Sequence, residues 1–194
     1  MTIEMITETV HKLQKKYDET DPLRLTHALK ILVRYVPMGL YDGCCKGFFM
    51  TACRQRHITV NSDLSEPLQR IVLTHELGHC VLHAKNTAGA SFHDITLFDD
   101  TDHREYEANI FAAEFLLPDE RILPLLDEDH SFFEVAKELC IPFELLDFKF
   151  RILKKKGYPI DAPVISQGNF LKNLEKDVPC QTKANEKLQK DFQK

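Results

Sequence analysis

The sequence predicts an α+β fold: a small antiparallel sheet, covered on one face by a buried helix and followed by more helices. Three observations carry that expectation. Two runs rich in β-branched and aromatic residues, 47–53 and 57–61, flank a short polar stretch and read as a hairpin. The run 68–84 is apolar nearly all round, the pattern of a helix enclosed by other structure. Three strands alone are a weak core, and that helix is the obvious cover.

The elements follow in order. Ile3, Ile6, Val10, Leu13 and Tyr17 are spaced by three and four, which predicts an amphipathic first helix. Asp21 is placed to cap a second helix, with Pro22 in its first position. That helix should end before 32–36, where β-branched and aromatic residues take over and supply a third strand. Pro37, Gly39, Asp42 and Gly43 then break the chain. Ser65 and Pro67 suit the start of the buried helix. Gly78 in its middle costs about 1 kcal/mol against alanine, which predicts a close approach by the sheet or another helix. Residues 85–100 read as a loop over one end, and 102–117 as a further helix stopped by Pro118.

Bulk properties narrow the class. The chain has 194 residues and 43% hydrophobic content, enough for one globular domain of ordinary size with a small appendage. A net charge of −5 argues against a general nucleic-acid binder. No segment is long and apolar enough to cross a membrane, and 1–10 lacks the basic start of a signal peptide. The expected location is cytoplasmic, where six cysteines without a CxxC pair are most simply free thiols.

The chemistry concentrates in His75-Glu76-Leu77-Gly78-His79. Residues i and i+4 of a helix share a face, so His75 and His79 can point two imidazoles at one metal ion. Glu76, one position on, can reach a water on that ion without binding it, as in H-E-x-x-H zinc peptidases. Two histidines and a glutamate in a core helix need partners, and a metal supplies them. A catalytic zinc takes three protein ligands and leaves one position for water. His83 lies roughly 12 Å along the helix from His75 and cannot share one tetrahedral ion with both histidines. Leu82 and Lys85 break the metzincin pattern. His93, Asp99, Asp100, Asp102, His103, Glu105 and Glu107 are the other candidates after His79. A carboxylate from the helix after the loop remains: Glu105 can bind the ion, with Asn109 one turn on to hydrogen-bond a ligand histidine from behind. Glu107 lies about 200° round from Glu105, so only one of the two faces the site. Asp102 and Glu105 also fit a capping box, a purely structural use of Glu105.

Residues 70–83, with their H-E-x-x-H, and the run Glu105-Tyr106-Glu107-Ala108-Asn109-Ile110-Phe111-Ala112-Ala113 resemble the ImmA/IrrE metallopeptidases. The likeness covers roughly 45–120, with Leu117 standing where many members have methionine. It implies a thermolysin-like, gluzincin type of minimal zincin core. It also implies His75, His79 and Glu105 as ligands, Glu76 as the catalytic carboxylate, and zinc as the metal, although a His₂Glu set can hold manganese. The implied partner is a helix-turn-helix transcriptional repressor, cut once to release its genes, often on a phage or mobile element. No direct nucleic-acid or membrane partner is expected. In the implied chemistry Glu76 is general base and one further donor holds the oxyanion. His83, His93, His103, Tyr106 and Tyr158 are candidates among which the sequence does not choose.

Residues 131–153 read as helix, tight turn, helix, the outline of a helix-turn-helix, but Glu144 and Asp147 near the second helix's start would repel phosphate. A packing subdomain is the simpler reading. The expected organisation is thus a zincin-like domain at 1–120, a helical subdomain at 121–160 and a polar tail at 161–194. A non-proteolytic regulator that sequesters a repressor or other partner is the alternative, and the intact Glu76 argues against it.

Overall fold

The computed structural model describes residues 1–83, 103–126 and 131–160. The expected loop at 85–100 with His93, the Asp102 cap and the tail at 161–194 lie outside them. Helix α1 (Ile3–Tyr17) starts where Thr2 accepts from the Met5 backbone at 3.3 Å, and it buries Ile6 and Val10. Helix α2 (Pro22–Ala28) is capped by Asp21, which accepts from the Arg24 backbone at 3.0 Å, with Pro22 in the first position. Both starts follow from residues that satisfy the free N–H groups of a helix end or lack one.

Strands β1 (Leu32–Val36), β2 (Gly47–Ala52) and β3 (Gln55–Asn61) form one sheet in the order β1-β3-β2. The expected hairpin of β2 and β3 forms, but Gln55 and Arg56 belong to the strand and only Cys53 and Arg54 make the turn. Their φ angles of 51° and 62° suit the tight turn whose twist matches that of the strands. The sheet is not wholly antiparallel as expected: β1 runs parallel to β3, with Leu32 opposite His57 and Val36 opposite Asn61. Strand β3 separates β1 from β2, two strand spacings or about 10 Å apart, and residues 37–46 carry the chain over the end of β3. The fully buried Asn61, last residue of β3, ties that crossing down. Its side chain donates to Gly39 O at 2.8 Å and Cys45 O at 3.1 Å and accepts from Met38 N at 3.1 Å. One asparagine thus satisfies backbone groups on both limbs of the crossing, which the strand pattern alone does not reveal.

Helix α3 (Glu66–His83) covers the sheet face that carries Ile58 and Val60. Contact is close at Gly47, where an added Cβ would lie 2.5 Å from Val72 Cγ1. Helix α4 (His103–Leu116) packs on α3, and the close approach at Gly78 is by this helix. A Cβ there would lie 3.2 Å from Phe111 Cβ and 3.3 Å from Ala108 Cα. A short helix α5 (Asp119–Ile122) and a 3₁₀ turn (Leu123–Leu125) follow. Helix α6 (Phe132–Glu138) begins with a capping box between Ser131 and Glu134. Helix α7 (Phe143–Lys155) packs on α4 and buries every residue from Leu145 to Phe150. Asp147 is among them, paired with Arg151 at 2.8 Å. The apolar core runs without a break from α1 through the sheet, α3 and α4 to α6 and α7. No helix among the described residues is long and apolar enough to cross a membrane.

Candidate metal centre

The α3–α4 crossing sets the site. His75 and His79 stand one turn apart on α3, and α4 presents Glu105 from its first turn. His75 Nε2 and His79 Nε2 lie 3.0 Å apart. Glu105 Oε2 is 3.2 Å from the first and Oε1 is 3.1 Å from the second. Among the described residues these three form a group whose ligand atoms all lie within 4.8 Å of one another. A tetrahedral ion with bonds of about 2.05 Å sets its ligands about 3.3 Å apart, so the spacing suits zinc without rearrangement.

Electrostatics supports the same fit. Two imidazole nitrogens that face each other and a carboxylate cannot all present lone pairs unless a cation stands between them. His75 is buried, which disfavours its charged form, yet its hydrogen bond and attraction to Glu105 raise its pKa overall. Burial pushes Glu105 the other way, and hydrogen bonds from His75 and His79 outweigh it, holding the carboxyl well below the usual range. The pocket thus stabilises positive charge between its groups.

Glu76 lies beside the cluster with its carboxyl raised by burial, although His79 and His75 oppose the rise. It accepts from the Phe49 backbone N–H, and its Cγ would lie 3.6 Å from a Cβ at Gly47. Strand β2 therefore forms the wall next to Glu76. The absence of a side chain at Gly47 lets the strand approach.

The rear of each histidine is also buried. Asn109, fully buried on α4, lies beside His75, and its side chain favours the charged ring. His79 Nδ1 lies 3.2 Å from His83 Nδ1, and His83 Nε2 lies 2.9 Å from Glu107 Oε2. Glu107 also pairs with the Met1 amino group. This arrangement was not legible as a partnership in the sequence. The axial distance that excludes His83 as a ligand says nothing about its role behind His79, one turn away. The signal available was the third histidine at the same spacing of four.

Other sequence candidates fall elsewhere. His103 is exposed at the start of α4, and Tyr106 packs edge-on against Phe148 at 5.8 Å. Tyr158 lies beyond α7 and is partly exposed. Cys80 sits 3.7 Å from Arg56 Nη1, with its thiol pushed up by burial to about 11, which makes it a poor ligand at neutral pH.

Two comparisons bear on this arrangement. The family model described as the IrrE N-terminal-like domain, Peptidase M78, matches residues 26–151. The chain is also similar to "Uncharacterized immunity region protein 2" of Bacillus phage phi105. The two are 34% identical over 146 residues, which cover 75% of this chain and 89% of that protein.

Proposed function

The chain belongs to the Peptidase M78 family of IrrE N-terminal-like domains, and on that premise we propose that it is a metal-dependent endopeptidase that cuts a helix-turn-helix repressor at one site and so relieves repression. The observation that carries this reading is the convergence of His75, His79 and Glu105 with the carboxyl of Glu76 beside them. The immunity-region name of the phage relative supports a partner in the control of phage genes.

In this reading His75, His79 and Glu105 would hold a zinc ion, with manganese as the alternative. When bound, such an ion acidifies water and polarises the scissile carbonyl. Glu76 takes the proton of the attacking water and passes it to the leaving amine. Its enclosure between α3 and β2 excludes bulk water, and its raised pKa brings it closer to the pH at which it must both accept and give a proton. Asn109 is placed to accept from the rear of His75 and so to fix that ring once Nε2 is turned to the metal.

The test is incubation of the purified protein and zinc with the repressor encoded beside it. A single defined cut, lost in Glu76→Gln while zinc still binds, supports the reading. A tight complex with uncut repressor would replace it with sequestration.

A further inference from the structure

The buried pair His83–Glu107 lies outside the ligand set and outside the acid–base chemistry of Glu76. Both side chains are 8% exposed, and they occupy the space behind His79. We propose that His83 and Glu107 form a positioning relay that fixes the ring of His79 in one tautomer and one orientation, with Nε2 turned to the metal. The proposal rests on the metal-site reading above.

The chain of hydrogen bonds dictates where each proton sits. An ionised Glu107 can only accept, so the His83 nitrogen 2.9 Å away must donate, and His83 carries its proton on Nε2. His83 Nδ1 is then an acceptor. The facing His79 Nδ1 at 3.2 Å must carry a proton and donate it. That leaves the lone pair of His79 on Nε2, the atom within 3.0–3.1 Å of His75 Nε2 and Glu105 Oε1. No other tautomer set satisfies both bonds while leaving a neutral ligand at the site. The relay thus selects the metal-binding form of His79 before any metal arrives, and it holds the ring against rotation.

The two histidines are therefore supported differently from the same helix. Asn109 reaches His75 directly, whereas Glu107 reaches His79 through an intervening imidazole. His79 has the more exposed side chain, 18% against 2% for His75, so it gains more from a partner that locks its ring.

The experiment is zinc affinity by chelator competition on the full chain, with the visible spectrum of the cobalt-substituted protein as a second readout. His75→Ala serves as the ligand control and should lose binding. His83→Ala should weaken zinc binding about 10- to 100-fold and shift the cobalt bands. His83→Gln, which can accept from His79 and donate to Glu107, should recover most of the affinity. Affinity in His83→Ala within twofold of the parent, with an unchanged cobalt spectrum, would overturn the relay. Failure of the parent to bind metal would instead overturn the site reading. Should His83→Ala not fold, imidazole nitrogen resonances of the zinc-loaded parent decide: His83 protonated on Nε2 and His79 on Nδ1 support the proposal, and any other pattern rejects it.

Discussion

Helix α4 carries two buried charge clusters, one at each end, and they are built on opposite terms. At its C-terminal end Glu114 receives Lys149 at 2.6 Å and Lys156 at 2.9 Å, and Asp119 receives the same two lysines at 2.5 and 2.7 Å. Two carboxylates face two ammonium groups, and His11 Nε2 adds a contact to Glu114 at 2.8 Å, so the cluster is complete. At its N-terminal end Glu105 faces two histidine nitrogens that also face each other, and Glu76 adds a second carboxyl. That cluster is balanced only by a cation or by added protons. A buried group that lacks its partner costs free energy. The structure tolerates this cost at one end of α4, where a ligand would offset it, and not at the other, where the charges clamp α7 to the core.

The sharpest test of the contrast is activity. Glu76→Gln should lower cleavage by about 10³-fold or more while zinc affinity and melting temperature stay near the parent values. A variant that still cuts would remove Glu76 from its role. Next in size is stability at the closed end. Lys149→Met leaves Glu114 and Asp119 short of one cation and should cost about 3–5 kcal/mol in denaturant unfolding. Glu105→Gln, by contrast, should abolish zinc binding while costing the metal-free protein less than Lys149→Met does, because the two histidines can stay neutral once the carboxylate is gone. Equal losses in the two variants would erase the distinction.

Gly78→Ala probes the joint between the clusters. The added methyl meets Ala108 and Phe111 of α4, which cannot shift without moving the helix that carries Glu105. Overpacking should exceed the gain of about 1 kcal/mol in helix propensity, for a net loss of about 1–2 kcal/mol. Calorimetric melting would read it, and zinc affinity should fall with it.

The smallest effect is the pH profile of stability. Burial raises Asp119, but Lys149 and Lys156 lower it further, below its unfolded value of 3.8. Its contribution is present above about pH 4 and fades as pH falls through the lowered value. Lys156 is disfavoured by burial but raised by Asp119 and Glu114 above 10.5, so its share is full below that pH and fades as pH rises through the raised value. The closed cluster therefore holds across the neutral range. At the open cluster of the metal-free protein, His75 is raised above 6.5, and its contribution is full below that pH and fades above it. Metal-free protein should lose stability from about pH 6.5 upward, and zinc-loaded protein should not. Parallel melting curves with and without zinc would check this.

Much of this was legible in the chain because it is local. A spacing of four puts His75 and His79 on one face of any helix, and Asp21-Pro22 or Ser131 with Glu134 mark helix starts through groups within a few residues. The hairpin of β2 and β3 follows from alternation and a short polar break. The need for a third group was reachable by counting ligands, since two histidines leave a zinc site one protein ligand short, whereas the choice of Glu105 among the candidates leaned on the family resemblance. Position within the chain could not supply the partners. The parallel pairing of β1 depends on Asn61 binding both limbs of a crossing more than fifteen residues earlier in sequence, and the hydrophobic pattern is the same for either direction of pairing. The relay behind His79 depends on where α4 crosses α3, which Gly78, Ala108 and Phe111 decide by how closely their backbones approach. By itself the sequence determined which residues a helix or hairpin presents together, because backbone geometry has a fixed period. Only the tertiary structure decided which of these faces meet, because that depends on packing between segments whose separation along the chain carries no geometric information.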